Sequence, residues 1–174
     1  MIILAIGSNL PSKFGNRFEN IDLSINHLEK QNIKIINKSS FYETPSYPDE
    51  KNPKFINIAI EIETNITPKK LASILITIEN SFDRKREKKN DPRTIDIDII
   101  DYKNEIINFM LKDLNFNVPH VELKNRNFVL YPLKEIKPNW MHPVTNEHIN
   151  TLIDKLSQNE KNSILKVEKY WYNI

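Results

Sequence analysis

The sequence predicts an α+β fold in which one antiparallel sheet carries two helices on one face. Three observations predict it. The 174 residues suit one domain. Strand and helix periodicities follow one another as β-α-β-β-α-β over roughly the first hundred residues. Residues 55–63 alternate strictly between isoleucine and other residues, as half-buried antiparallel strands do. We therefore expect residues 1–174 to form a single domain.

The first three elements are a strand, a helix and a strand. An apolar run over 2–6, closed by Gly7, predicts the first strand. Apolar residues at helical spacing over 18–28 predict the first helix. Residues 33–41 are rich in β-branched side chains and predict the second strand, which leads into a proline-bearing loop.

The next three elements are again a strand, a helix and a strand. Residues 55–63 predict a half-buried strand. Thr67 and Pro68 are an N-cap and a first-turn proline, and apolar residues at helical spacing follow them. A charged loop over 83–91 separates that helix from a strand over 94–102.

These six elements have the order of a ferredoxin-like core. Appended strands and helices follow it: extended pieces near 106–107 and 118–120, a buried run over 128–133, a short helix over 149–156 and an alternating segment over 164–172. This fold hosts many functions, so function has to be argued from the site residues.

Composition excludes several classes of chemistry. The chain has no cysteine, which excludes disulfides, thiolate metal sites and cysteine nucleophiles. Its two glycines are too few for a dinucleotide fingerprint or a Walker loop. No apolar run approaches the ~18 residues that span a bilayer, and the net charge is only +2. We expect a soluble, cytoplasmic monomer that binds neither membranes nor nucleic acid.

Arginine is scarce and clustered. The 25 basic residues comprise 20 lysines and five arginines, and three of the arginines, Arg84, Arg86 and Arg93, fall within ten positions. Because lysine cannot reproduce the planar fork of arginine, this retention suggests recognition of phosphate or carboxylate. The alternative is codon drift.

Asp96 and Asp98 stand two residues apart in a predicted strand, so their side chains project from the same face. Two carboxylates on one face repel each other unless a cation lies between them. Oxygen ligands without histidine or cysteine favour Mg²⁺ held partly by substrate phosphates. With the basic loop upstream, the pattern indicates phosphoryl-type transfer. The alternative is a solvated sheet face.

Two aromatic residues and an amide suggest a site for a flat ring. Phe55 and Asn57 share the strand face opposite the isoleucines, and Phe128 follows far along the chain. Two aromatic rings and an amide would hold a heteroaromatic ligand, although both rings could instead be ordinary core residues. His120, at a predicted strand end, is a structural histidine unless it adjoins the phosphate site.

Over roughly residues 2–143 the chain resembles the 6-hydroxymethyl-7,8-dihydropterin pyrophosphokinases of folate biosynthesis, with seven motifs in the family's order. They are AIGSNL (5–10), SSFYETP (39–45), FIN (55–57), IE (78–79), PRTIDID (92–98), VPH (118–120) and RNFVLYPL (126–133). The resemblance implies a ferredoxin-like transferase that moves the β,γ-diphosphate of ATP to the hydroxymethyl group of the pterin and releases AMP. It also implies two Mg²⁺ ions and dihydropteroate synthase as the pathway neighbour.

The resemblance also implies a role for individual residues. The metal ligands would be Asp96 and Asp98. The catalytic arginines would be Arg84, Arg86 and Arg93. ATP would be bound by Glu79, Arg93, His120 and Arg126, and the pterin by Thr44, Phe55, Asn57 and Phe128.

The chain departs from the family pattern at several places, two of which concern the expected catalytic residues. Asn90-Asp91 stands where many members have Trp-Gly, so the loop over 83–92 is expected to close differently. A further family arginine has no clear counterpart, and Lys112 is the nearest candidate.

The alternative function is an RNA-binding module, since the same architecture hosts such modules. The paired aspartates would repel an RNA backbone, however, and the sheet lacks the aromatic RNA-binding signature.

Overall fold

The computed structural model describes residues 1–46, 49–82 and 92–169. The first part of the chain forms β1 (Ile2–Ser8), α1 (Arg17–Glu29), β2 (Lys34–Lys38), β3 (Phe41–Thr44), β4 (Phe55–Glu63), α2 (Pro68–Ser81) and β5 (Asp96–Tyr102). The remainder forms β6 (Ile107–Leu111), β7 (Leu114–Val118), a 3-10 turn (Leu123–Asn125), α3 (Asn127–Ile136), α4 (Ile149–Lys155), α5 (Gln158–Asn162) and β8 (Leu165–Val167).

The central sheet has the strand order β5-β1-β4-β3-β8, and β2 also pairs with β4. All of its strand pairs are antiparallel. This arrangement confirms the predicted ferredoxin-like core. A separate two-stranded sheet of β6 and β7 is among the appended elements.

The predicted second strand, 33–41, is in fact two strands, β2 and β3. Ser39 lies between them and is buried. Its backbone N–H donates to the Ala59 carbonyl at 2.9 Å, and its hydroxyl accepts from the Ala59 N–H at 3.0 Å. The hydroxyl takes the place of a backbone carbonyl in the ladder, so the pairing with β4 is interrupted there.

The sheet buries a core on each face. On one face the isoleucines of β4 pack with α1 and α2; these are Ile56, Ile58, Ile60 and Ile62. On the other face Ile3, Ala59 and Ile100 pack with residues of α3 and α4. The prediction that 55–63 is half-buried is therefore wrong for most of β4, because Ile56 to Ile60 are all buried. The C-terminal segment supplies the second layer.

The helix starts follow their local capping chemistry. The Asn16 side chain accepts from the Phe18 and Glu19 N–H groups, and the Glu19 carboxylate accepts in return from the Asn16 N–H, which forms a capping box at the start of α1. The Thr67 hydroxyl caps α2, and Pro68 is its first residue. The predicted start at Thr67 and Pro68 is thus confirmed.

The C-terminal elements agree with the sequence in part. The predicted helix over 149–156 is α4. The buried run over 128–133 is helical and lies within α3. The alternating segment over 164–172 contributes only β8, and residues 170–174 lie outside the described part of the chain. In the part that is described, no helix is both long and apolar enough to cross a membrane.

Candidate functional site

A row of four residues crosses the sheet on the face that α3 and α4 cover. In the strand register, Asp96 of β5 is opposite Gly7 of β1, Gly7 is opposite Asn57 of β4, and Asn57 is opposite Tyr42 of β3. Directly paired residues of antiparallel strands point to the same face. The register therefore brings the predicted metal residues and the predicted amide to one surface.

Asp96 and Asp98 both lie on this surface and are partly exposed, as the strand alternation predicts. Each carboxylate has an arginine partner. Arg93 Nη1 donates to Asp96 Oδ2 at 2.8 Å, and Arg126 Nη1 donates to Asp98 Oδ2 at 3.2 Å. Arg126 comes from the N-terminus of α3, so the chain brings a distant arginine to the second carboxylate.

The donor set suits a magnesium ion that substrate helps to hold. Among residues 1–46, 49–82 and 92–169 no group of three or more histidines, cysteines and carboxylates could form a metal cage. Two carboxylates alone are too few for a structural zinc or calcium site. Mg²⁺ is commonly bound by one or two carboxylates together with substrate phosphates. Asp96 and Asp98 therefore fit that metal.

Each of these arginines also faces an aromatic ring. The guanidinium carbon of Arg93 lies 5.8 Å from the centroid of the Phe55 ring. The guanidinium carbon of Arg126 lies 5.5 Å from the centroid of the Phe128 ring. Both rings are only partly buried, and Phe128 also packs against the core beneath α3. The two arginines connect the carboxylates to the aromatic part of the surface.

The Asn57 side chain is buried and fixed between β1 and β3. Its Nδ2 donates to Thr44 Oγ1 at 3.0 Å. Its Oδ1 lies over Gly7, where an added Cβ would stand only 2.9 Å away. Glycine at this position therefore leaves room for the amide. Thr44 is opposite Phe55 in the register, so all three predicted pterin residues of the sheet lie together.

Glu79 lies behind the strand that carries the aspartates. It projects from α2, is 3% exposed, and its Oε1 accepts from the Ile97 N–H at 2.8 Å. Because β5 is the end strand of the sheet, this bond satisfies an edge N–H. The structure thus gives Glu79 a contact with the strand backbone, and the role in ATP binding stays a prediction.

His120 lies close enough to Asp98, Asp96 and Arg126 for their charges to act on its pKa. Burial lowers the pKa of His120, and Arg126 lowers it further, while Asp98 and Asp96 act in the opposite direction. The imidazole Nδ1 accepts from the Glu122 N–H at 3.1 Å. A neutral ring whose Nδ1 is an acceptor carries its proton on Nε2.

Some predicted residues fall outside the described part of the chain. These are Arg84 and Arg86, together with the Asn90-Asp91 pair. Lys112, the candidate for the missing family arginine, is exposed in the turn between β6 and β7.

Asn9 is a site residue that the sequence reasoning missed. It is 1% exposed, its Oδ1 accepts from the Arg93 N–H at 2.7 Å, and its Nδ2 donates to the Pro53 carbonyl at 3.0 Å. It therefore joins the segment before β5 to the segment before β4. Its place just after Gly7, in the first of the seven motifs, was the available signal.

On this ferredoxin-like sheet, paired carboxylates with an arginine on each and adjacent aromatic rings suit a nucleotide-dependent phosphotransferase, in which metal ions and arginines neutralise phosphate charge. Residues 3–138 match the family model for 7,8-dihydro-6-hydroxymethylpterin-pyrophosphokinase. The chain belongs to this family.

Individual relatives agree with the family match. The chain is 36% identical over 143 residues to the 2-amino-4-hydroxy-6-hydroxymethyldihydropteridine pyrophosphokinase of Aquifex aeolicus, which covers 82% of this chain and 84% of that protein. It is 40% identical over 158 residues to a folic acid synthesis protein of Dictyostelium discoideum, covering 90% of this chain but 22% of that protein. The fold matches crystallised Plasmodium falciparum HPPK-DHPS at a TM-score of 0.69 and 17% identity, over 97% of this chain and 47% of that chain.

Proposed function

We propose that this chain transfers the β,γ-diphosphate of ATP to the hydroxymethyl group of 6-hydroxymethyl-7,8-dihydropterin, with release of AMP, in tetrahydrofolate biosynthesis. One observation carries the proposal. Each of two carboxylates on one sheet face is bonded to an arginine that also faces a partly exposed phenylalanine ring. This arrangement supports a polyphosphate site and a flat-ring site side by side.

Asp96 and Asp98 would hold the magnesium, as two ions. Bound there, Mg²⁺ would neutralise the polyphosphate charge and orient the phosphate oxygens. Arg93 and Arg126 would bind phosphate oxygens through their planar forks. With Arg84 and Arg86 they would stabilise the negative charge that develops during transfer. Glu79 would help to bind ATP.

His120 would contribute a neutral donor to the nucleotide. Since its pKa is lowered by burial and its Nδ1 is already an acceptor, the Nε2–H can donate to an oxygen of the nucleotide.

Phe55 and Phe128 would stack on the two faces of the pterin ring. The Asn57 amide would bind its edge. Because Asn57 Nδ2 already donates to Thr44, the Oδ1 is oriented to accept from the N–H groups of the pterin. The two aromatic rings would provide most of the affinity for the pterin, and the amide at its edge would fix its orientation.

The proposal also covers the extent of the domain, its location, its oligomeric state and the enzyme that uses its product. The chain spans less than half of the malarial HPPK-DHPS chain and about a fifth of the Dictyostelium protein. We propose that residues 1–174 act as one pyrophosphokinase domain, in the cytoplasm and as a monomer. Its product would pass to dihydropteroate synthase, an activity that the name HPPK-DHPS joins to this one in the malarial protein.

The test is an assay with ATP, Mg²⁺ and the reduced hydroxymethyl pterin that detects AMP and the diphosphorylated pterin together. We expect Asp98→Asn to lower kcat by at least about 100-fold. The neutral amide lacks the negative charge that would hold the metal ion against the polyphosphate. The matched control is Asp154→Asn, an exposed position on α4. Near wild-type turnover in a folded D98N protein would refute the role of Asp98. Absence of AMP in the wild type would refute the function.

A further inference from the structure

Arg17 is an arginine that the proposed mechanism does not use. It is the first residue of α1, and its side chain is 20% exposed. In a chain with five arginines and 20 lysines, a mostly buried arginine suggests that this position needs a guanidinium. Its contacts supply the reason.

The guanidinium of Arg17 donates to acceptors from two different segments of the described chain. Its Nη1 donates to the Lys54 carbonyl at 2.6 Å and lies 3.3 Å from Glu43 Oε1. The other oxygen of the Glu43 carboxylate is 3.4 Å from Lys54 Nζ. Arg17 and Lys54 thus enclose a carboxylate whose side chain is only 9% exposed.

Both acceptors stand immediately beside predicted pterin residues. Glu43 precedes Thr44, where the chain leaves β3, and Lys54 precedes Phe55, where the chain enters β4. Thr44 and Phe55 are paired directly across the two strands. A single guanidinium therefore ties together the two ends of the connection that runs between these pterin residues.

The geometry separates this bridge from the binding surface itself. Glu43 neighbours Thr44 on a strand, so its side chain points to the opposite face, toward α1. Arg17 consequently acts from behind the sheet. A buried carboxylate needs a paired cation. Both acceptors are bound by Nη1, whose two N–H bonds have fixed directions in the guanidinium plane, whereas the N–H bonds of an ammonium rotate at the end of a flexible stem.

We propose that Arg17 is a positioning residue that sets Thr44 and Phe55 for the acceptor substrate; this role rests on the pterin function proposed above. Arg17 holds the strand ends in register through the Lys54 carbonyl and the Glu43 carboxylate. The carboxylates of the nucleotide half lie on β5, which β1 separates from β4, so we expect ATP binding to depend on this bridge less than pterin binding does.

The test compares Arg17→Lys and Arg17→Met in the full chain. We expect the KM for the pterin to rise about tenfold in R17K and further in R17M, because a hydrogen bond to a charged partner is weakened or lost. The KM for ATP should stay within about twofold. The matched control is Lys34→Met, which breaks the exposed Lys34–Glu63 pair, whose side chains are 73% and 69% exposed.

A second measurement does not depend on turnover. Amide hydrogen exchange should accelerate over residues 49–57 in R17K and R17M and stay unchanged over 96–102. R17K retains the charge, so it provides the measurement even if R17M does not fold. Unchanged exchange over 49–57, or equal rises in both KM values, would overturn the positioning role. Faster exchange over 49–57 in the variants, together with a wild type that turns over no pterin, would instead refute the proposed function.

Discussion

Arginine and lysine are not interchangeable in this molecule. All three arginines in the described ranges have a carboxylate partner: Arg17 with Glu43, Arg93 with Asp96 and Arg126 with Asp98. Arg93 and Arg126 use the edge of the guanidinium for the carboxylate and its flat face for a ring. An ammonium group has no flat face, which explains why a lysine-rich chain keeps arginine at these positions.

Gly7 gives a prediction at the scale of one atom. Gly7→Ala places a methyl group 2.9 Å from Asn57 Oδ1, closer than the two atoms tolerate, so the amide has to rotate. We expect a higher KM for the pterin and an unchanged KM for ATP, measured by steady-state kinetics.

The control for Gly7 is a double-mutant cycle with Asn57→Ala. If the added methyl acts only by displacing the amide, the double variant should bind the pterin no more weakly than N57A alone. Additive losses would show that Gly7 acts by another route.

At the scale of elements, the contact between α2 and β5 makes Glu79 a structural residue. Glu79→Ala removes the acceptor of the buried Ile97 N–H, so we expect a loss of about 1–3 kcal/mol in the free energy of unfolding. Glu79→Gln retains an oxygen there and should lose less. Urea denaturation measures both.

The same pair of variants separates two roles of Glu79. A Gln variant with normal stability but weaker ATP binding would support the nucleotide role that the family resemblance implies. An Ala variant as stable as the wild type would contradict the structural role.

Periodicity predicted most of the core elements but not all of them. The alternation of 55–63 and the capping signals at Thr67 and Pro68 are local, and both elements form where predicted. The break at Ser39 was not predicted because it depends on a side-chain hydrogen bond to another strand. The run over 128–133 does not predict one element type, because a short apolar run fits either a helix or a strand.

The candidate site was predictable to the same extent. Strand alternation alone places Asp96 and Asp98 on one face. The contact between Arg126 and Asp98 joins positions 28 residues apart, and no local pattern encodes it. The bridging contacts of Asn9 are also long-range. Contacts between residues far apart in the sequence could be identified only from the three-dimensional structure.

At the scale of the whole molecule, the C-terminal layer completes the sheet. Trp140 Nε1 donates to Asp101 Oδ2 at 2.7 Å, and both residues are buried. The bond connects the segment after α3 to the end of β5. His142 packs edge-on against Trp140, so this layer contains a titratable group close to its anchor.

His142 gives a prediction about pH. Burial lowers the pKa of His142, and Lys124 lowers it further, against the opposing effect of Glu147 and Asp101. A lowered pKa means that the unfolded chain takes up the proton first. The stability that His142 contributes is thus present above about pH 6.5, the pKa of a free imidazole, and is lost as the pH falls below it.

His142→Asn is the variant for this test. The ring Nδ1 accepts from the Val144 and Thr145 N–H groups, and an asparagine oxygen can do the same without titrating. We expect the wild-type Tm to fall more steeply than that of H142N between about pH 7.5 and about pH 5.5. Parallel curves would contradict the prediction. The difference between the two curves of Tm against pH reports on His142, because the two proteins share all other titratable groups.

The position of β1 between β5 and β4 has a consequence for the reaction as a whole. The aspartates and the amide are separated by two strand-to-strand spacings, about 10 Å. Peptide hydrogen bonds, rather than side chains, maintain that interval, so a point substitution on either strand would change how tightly the proposed donor or acceptor is bound while the distance between the strands stays constant. The backbone hydrogen bonds would therefore set the distance between the two proposed reactants.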